Sequence, residues 1–129
     1  MQFTRDERVL LIGLHPQSID YSKLPGLDAD IMTARVEAGN AALRKAGFDV
    51  VSCLLDGSPD DAETQLRKQA ATERFNLVMI GAGIRAIPDY TLLFERIVNV
   101  LTEVAPGIRF CFNTSPETTI NALERWISP

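Results

Sequence analysis

Two kinds of apolar spacing alternate along this chain. Short runs are apolar at successive positions, as in Val9-Leu10-Leu11-Ile12 and Leu77-Val78-Met79-Ile80. Between them lie longer segments in which apolar residues return every three or four positions. The first pattern predicts strands covered on both faces, and the second predicts helices with one packed side. Four strands are expected, at Arg8 to Leu14, Asp49 to Leu55, Asn76 to Gly81 and Ile108 to Asn113. Such an alternation of strand and helix signals βαβ units and a parallel sheet.

The helix boundaries carry their own chemistry. A long connection from His15 to about Leu27 follows the first strand, with Pro16, Ser18, Pro25 and Gly26 as turn residues. Ile31, Met32, Val36, Gly39, Ala42, Leu43 and Ala46 then share one side of a helix from about Asp28 to Ala46. Gly47 ends it in a left-handed cap, with Phe48 packing back on the helix end. Ser58 caps the next helix, Pro59 is its first residue, and Asp60, Asp61 and Glu63 suit the positive end of its dipole. A third helix starts at Pro88 or Asp89 and stops at Pro106-Gly107. Ser115-Pro116-Glu117 opens the last, which bears Ile120, Leu123 and Ile127.

Strand polarity also predicts the strand order. Strands one and three are uninterrupted, whereas strand two carries Ser52 and strand four carries Arg109. Polar residues are tolerated at sheet edges, so the expected order is 2-1-3-4 in a three-layer αβα domain spanning residues 1–129. The dinucleotide-fold order 3-2-1-4 would put the clean third strand outside.

Composition narrows the function classes. Hydrophobic residues make up 46% and charged residues 23% of the 129, which suits a globular core. A net charge of −4 without a compensating Lys/Arg cluster disfavours nucleic acid and anionic membranes as partners. No run approaches the roughly 20 apolar residues of a membrane span, and Met1 to Arg8 lacks a signal-peptide core, so a cytoplasmic location is expected. Cys53 and Cys111 fall inside strands with no second ligand at metal spacing. They are expected to be buried small hydrophobes, and neither a metal site nor a cofactor is expected.

In open parallel sheets, ligands bind beyond the carboxyl ends of the strands where successive connections diverge, which here is between strands one and three. His15, the single histidine, stands at the exit of strand one. It suits proton exchange in catalysis, or a loop imidazole bonded to backbone. Gly81, Gly83 and Arg85 follow strand three and suit either a cradle for an anion or a turn of positive φ with a solvated arginine. Asn113, Thr114 and Ser115 leave strand four, where they serve as helix caps and would face the same rim as Arg85.

Two functions compete on these residues. One is a domain gripping a small anionic metabolite at the switch point. The other is a regulatory or structural interaction module. Leu93, Ile97, Val100, Leu101 and Val104, with Leu92, Phe94, Val98 and Ala105, cover more of the third helix than a single packing stripe needs. That excess suits a homodimer through this helix, or a thick local core.

The layout resembles the flavodoxin-like superfold, which hosts many unrelated activities. Flavodoxins hold flavin phosphate in a Ser/Thr-rich loop after strand one, where this chain has His15-Pro16-Gln17. Response-regulator receivers need an acidic pair there and an aspartate ending strand three, where this chain has Leu14-His15 and Gly81. Cobalamin-binding domains carry Asp-x-His-x-x-Gly; His15 matches, but Gly13 replaces the aspartate and Ser18 the glycine. Ile80-Gly81-Ala82-Gly83-Ile84-Arg85 through Phe94-Glu95, with Phe112-Asn113-Thr114-Ser115-Pro116 and Trp126, resembles a group of small bacterial conserved hypothetical proteins. That resemblance implies a stand-alone bacterial domain with a flavodoxin-like fold, and no mechanism.

Overall fold

The computed structural model describes residues 3–128. Strands β1 (Arg8–Leu14), β2 (Asp49–Leu55), β3 (Leu77–Ile80) and β4 (Arg109–Phe112) form one all-parallel sheet in the order β2-β1-β3-β4. All of β3 is buried, and β1 is buried from Val9 to Ile12. The edge strands carry the exceptions: Ser52 in β2 is half-buried, and Arg109 and Phe112 in β4 are exposed. This is the flavodoxin-like order that strand polarity predicts.

Helices α1 (Ala29–Lys45), α2 (Pro59–Thr72), α3 (Ala82–Ala86), α4 (Thr91–Val104) and α5 (Thr119–Glu124) cover both faces. The Ser58 and Gly47 caps form as anticipated, and Asp28 caps the start of α1. Asp28 Oδ1 accepts from Ile31 N at 2.8 Å, and Ser58 Oγ accepts from Asp61 N at 3.2 Å. Gly47 adopts φ 92°, while Phe48 N bonds Leu43 O at 3.0 Å and closes a Schellman turn. Two details differ from expectation. The segment after β3 holds the short helix α3 instead of a loop, and Ile127 lies beyond α5, buried in a bridge to Phe3.

The side chains of each strand point alternately to two faces, and the two faces are filled unequally. Beneath α2, α3 and α4, Leu10, Ile12, Cys53, Leu55, Val78 and Ile80 meet Leu66, Ile84, Leu93, Ile97, Val100 and Leu101. On the other face, Val9, Leu11, Val50, Leu77, Met79 and Cys111 meet Leu43, Ala122 and Leu123, which fills only the amino-terminal half of the sheet. The 17-residue helix α1 buries one side chain, Leu43. Beyond it, on the carboxyl side, the face opens.

The apolar width of α4 is spent inside the chain. Leu93, Ile97, Val100 and Leu101 are buried, Val104 and Phe94 are packed against the same core, and Leu92 is the exposed large residue of the helix. Leu93, Ile97, Val100 and Leu101 are therefore covered by the chain itself. Helix α4 sits in a corner and packs against both the sheet and α2. Arg96 reaches Asp60 and Glu63 at 3.0 and 2.9 Å, and Arg67 reaches Glu103 at 2.6 Å, lacing the two helices on their solvent side.

Both cysteines are buried and free. Burial pushes the Cys53 thiol up to about 11 from an ordinary value of 9.0, and pushes Cys111 up to about 12 against a smaller opposing pull from Arg125. Both thiols therefore stay protonated at neutral pH, and the folded protein is expected to resist iodoacetamide at pH 8 while urea-unfolded chain is alkylated at both sites. Equal labelling of folded and unfolded protein, read by mass spectrometry, contradicts this. The sign of the linkage follows. The unfolded chain loses these protons near the ordinary thiol value while the folded one keeps them, so their contribution to stability is full below that value and is lost as pH rises through the folded pKa values.

Candidate functional site

The open part of the sheet face is a cavity of about 370 Å³ at the carboxyl ends of the strands. Its floor runs across all four strand ends: Leu11 and Gly13 from β1, Ser52 and Leu54 from β2, Met79 and Gly81 at the end of β3, and Asn113 after β4. Small residues make the space. Gly13 pairs with Leu54 and Leu11 pairs with Ser52 across the β1–β2 ladder, so a glycine and a serine sit diagonally across from each other on this face. A Cβ built on Gly13 would find nothing nearer than Leu54 Cδ2 at 3.9 Å.

Helix α1 forms one wall through Met32, Arg35, Val36, Gly39 and Asn40. Glycine inside a helix costs about 1 kcal/mol relative to alanine, and Gly39 has a local reason to be there. A Cβ at that position would lie 3.2 Å from the Pro116 carbonyl oxygen, so glycine lets α1 approach the turn after β4. The long connection between β1 and α1 supplies Ile19, Leu24 and Leu27 as a second wall. It folds into two 3₁₀ turns, Pro16–Ser18 and Tyr21–Lys23, and Tyr21 Oη donates to Pro16 O at 2.7 Å. Partial burial and Asp28 raise the pKa of that phenol, which keeps the donor proton in place.

Five of the residues singled out from sequence line this cavity: Gly81, Gly83, Asn113, Thr114 and Ser115. Neither glycine has a positive φ; Gly81 sits at −66°. Gly81 instead permits close approach, because its N donates to Ile12 O at 2.8 Å and a Cβ there would be 3.3 Å from the same oxygen. Asn113 is buried and fully engaged. Its Oδ1 accepts from Ala82 N at 2.9 Å, and its Nδ2 donates to Thr119 Oγ1 at 2.9 Å. Thr118 Oγ1 accepts from Thr114 N and Ser115 N at 2.9 and 3.1 Å, closing the turn into α5.

Two singled-out residues lie outside the lining. His15 is exposed, and its Nδ1 accepts from Gln17 N at 3.1 Å, capping the first 3₁₀ turn. Arg85 folds back on the sheet: Nε donates to Ile80 O at 3.2 Å, Nη2 donates to Asn113 O, and the guanidinium lies 4.9 Å from the Phe112 ring centroid. Burial lowers its pKa. Arg85 thus ties the ends of β3 and β4 together.

The cation that does line the cavity is Arg35, the single Lys or Arg among its described lining residues. Arg35 Nε and Nη2 meet Glu117 Oε2 and Oε1 at 3.0 and 2.6 Å. The pair spans from α1 to the turn after β4, and it raises the arginine's pKa and lowers the carboxylate's. Deeper in, Asn40 Nδ2 donates to Ser52 Oγ at 3.0 Å. The lining holds no His, Cys, Asp or Glu, and no cluster of three or more such residues suited to a metal assembles among the described residues.

An all-parallel sheet with a ligand-sized hollow at its switch point defines the class of this domain, an α/β domain of flavodoxin-like order. Family models, curated proteins and solved structures contain no match to the chain.

Proposed function

We propose that this chain is a cytoplasmic binding domain that takes a small anionic metabolite into the cavity between the ends of β1 and β3. The observation that carries the reading is the unfilled half of the sheet face: about 370 Å³ lies under a helix that buries one side chain of its 17. Protein interiors close such gaps, because apolar walls without partner atoms forfeit dispersion contacts. A cavity kept open by Gly13, Ser52 and Gly81 at the switch point fits a ligand better than a packing flaw. Arg35 supplies the positive charge, with Thr114 and Ser115 at the rim. The absence of a proton-transfer side chain from the lining favours binding over catalysis. No described helix is long and apolar enough to cross a membrane, in keeping with this placement.

Filling the hollow is the test. Gly13→Leu adds bulk to the cavity floor on a strand whose backbone accepts any L residue, with room around the new Cβ. In a thermal-shift screen of metabolite carboxylates and phosphates, the wild type is expected to rise in Tm with at least one millimolar anion. Gly13→Leu is expected to fold, by far-UV circular dichroism, and to lose that rise. An unshifted wild type, or an equal shift in the filled variant, defeats the proposal.

A further inference from the structure

Arg35 stands at the boundary between the cavity and a second, apolar groove between α1 and the segment from Pro116 to Ile120, and it lines both. Its guanidinium is held side-on by a carboxylate, through Nε at 3.0 Å and Nη2 at 2.6 Å, the two-bond geometry that recognises carboxylates in general. Glu117 is more than half exposed, with 58% of its side chain accessible, and exposed ion pairs hold weakly. The inner polar groups offer a ligand little. Asn40 bonds Ser52, Asn113 bonds Ala82 and Thr119, and no buried side-chain polar atom among the described residues lacks a partner. Leu11, Leu24, Leu27, Met32, Val36 and Met79 make up much of the remaining wall. The interior therefore accepts an apolar body, and the single charge among its described lining residues is Arg35, on the α1 wall.

We infer that the ligand is a carboxylic acid with an apolar tail or ring, whose carboxylate displaces Glu117 from Arg35 while its body fills the cavity. The inference rests on the binding function proposed above and specifies its ligand class. Glu117 acts as the resident stand-in for the ligand's own head group. It keeps the guanidinium paired and oriented when the cavity is unliganded, and it turns into solvent on exchange. Amphipathic ammonium compounds are rejected by the same arginine.

Three eight-carbon probes separate the contributions: octanoate, octanol and octylammonium, titrated by calorimetry and by amide chemical shifts. The wild type is expected to bind octanoate about tenfold to a hundredfold more tightly than octanol, and octylammonium more weakly than either. Arg35→Gln is expected to erase the preference for octanoate and leave octanol unchanged. Glu117→Gln, which removes the competitor, is expected to tighten octanoate about two- to fivefold and leave octanol unchanged. If octanoate is preferred but Arg35→Gln holds it equally well, or if Arg35→Gln loses octanol in parallel with octanoate, Arg35 is not the head-group ligand. The inference then falls while the cavity still binds anions. If no probe binds and the wider anion screen leaves Tm unmoved, the inference and the binding function fall together.

Discussion

Ile97→Ala is expected to lower the unfolding free energy by about 2–5 kcal/mol, with a urea midpoint that stays fixed over a wide range of protein concentration. Ile97 is fully buried and belongs to the core formed by Leu10, Ile12, Val78 and Ile80 with Leu66 and Leu101. Truncation there removes apolar atoms from water-free surroundings and leaves a hole that a sheet on one side and α2 on the other are too constrained to close. The concentration test separates this from an intersubunit role. A helix face buried against a second copy gives a midpoint that rises with protein concentration, because association stabilises by mass action. A loss below about 1 kcal/mol, or a midpoint that climbs with concentration, would show that α4 is packed otherwise than described.

The same helix shows that an apolar pattern states the width of a covered face and leaves open what covers it. Leu93, Ile97, Val100 and Leu101 exceed one stripe because α4 has two partners within the chain, the sheet and α2. Periodicity records how wide the covered face is, and says nothing of whose atoms cover it. The strand order was legible for the complementary reason. Burial on both faces leaves its mark at every position of a strand, so β1 and β3 read as interior while Ser52 and Arg109 marked β2 and β4 as edges. Helix α3 was hidden because a glycine-bearing five-residue segment has no periodicity to display. Its first N–H is satisfied from thirty-one residues away, by Asn113 Oδ1.

At the site, topology predicted the edge of the sheet and the loops that border it, and it placed Gly81, Gly83, Asn113, Thr114 and Ser115 around one cavity. It did not predict where long side chains turn. Arg85 begins beside the mouth, yet the strand-end carbonyls of Ile80 and Asn113 and the face of Phe112 draw its guanidinium back onto the sheet. Arg35 looks in sequence like any charged residue on a solvated helix face, and only the closeness of α1 to the turn at Pro116 brings it to the cavity. A signal for the hollow was present nonetheless. Gly13 in a central strand, Ser52 in its neighbour and Gly39 in a helix interior are three small residues where large ones pack better, all on elements that the order 2-1-3-4 brings together.

Asn113→Ala is the substitution expected to loosen that arrangement most, at a cost of about 2–4 kcal/mol. One amide side chain holds three elements at the cavity's far wall: the exit of β4, the first N–H of α3 through Oδ1, and the first residue of α5 through Thr119 Oγ1. Both partners are left without a bond on truncation, and a buried donor or acceptor so stranded costs about 1–3 kcal/mol. Volume alone does not explain such a loss, and a double-mutant cycle shows why. Thr119→Val removes the hydroxyl that Nδ2 serves, so the double variant is expected to be more stable than the sum of the two single losses predicts, by about 0.5–3 kcal/mol. The other half of the clamp is read separately by hydrogen exchange. The Ala82 amide is expected to lose protection in Asn113→Ala and to keep it in Thr119→Val, since only the former removes its acceptor. Additive single losses, or an Ala82 amide equally protected in all three variants, would mean that these contacts do not hold the wall together.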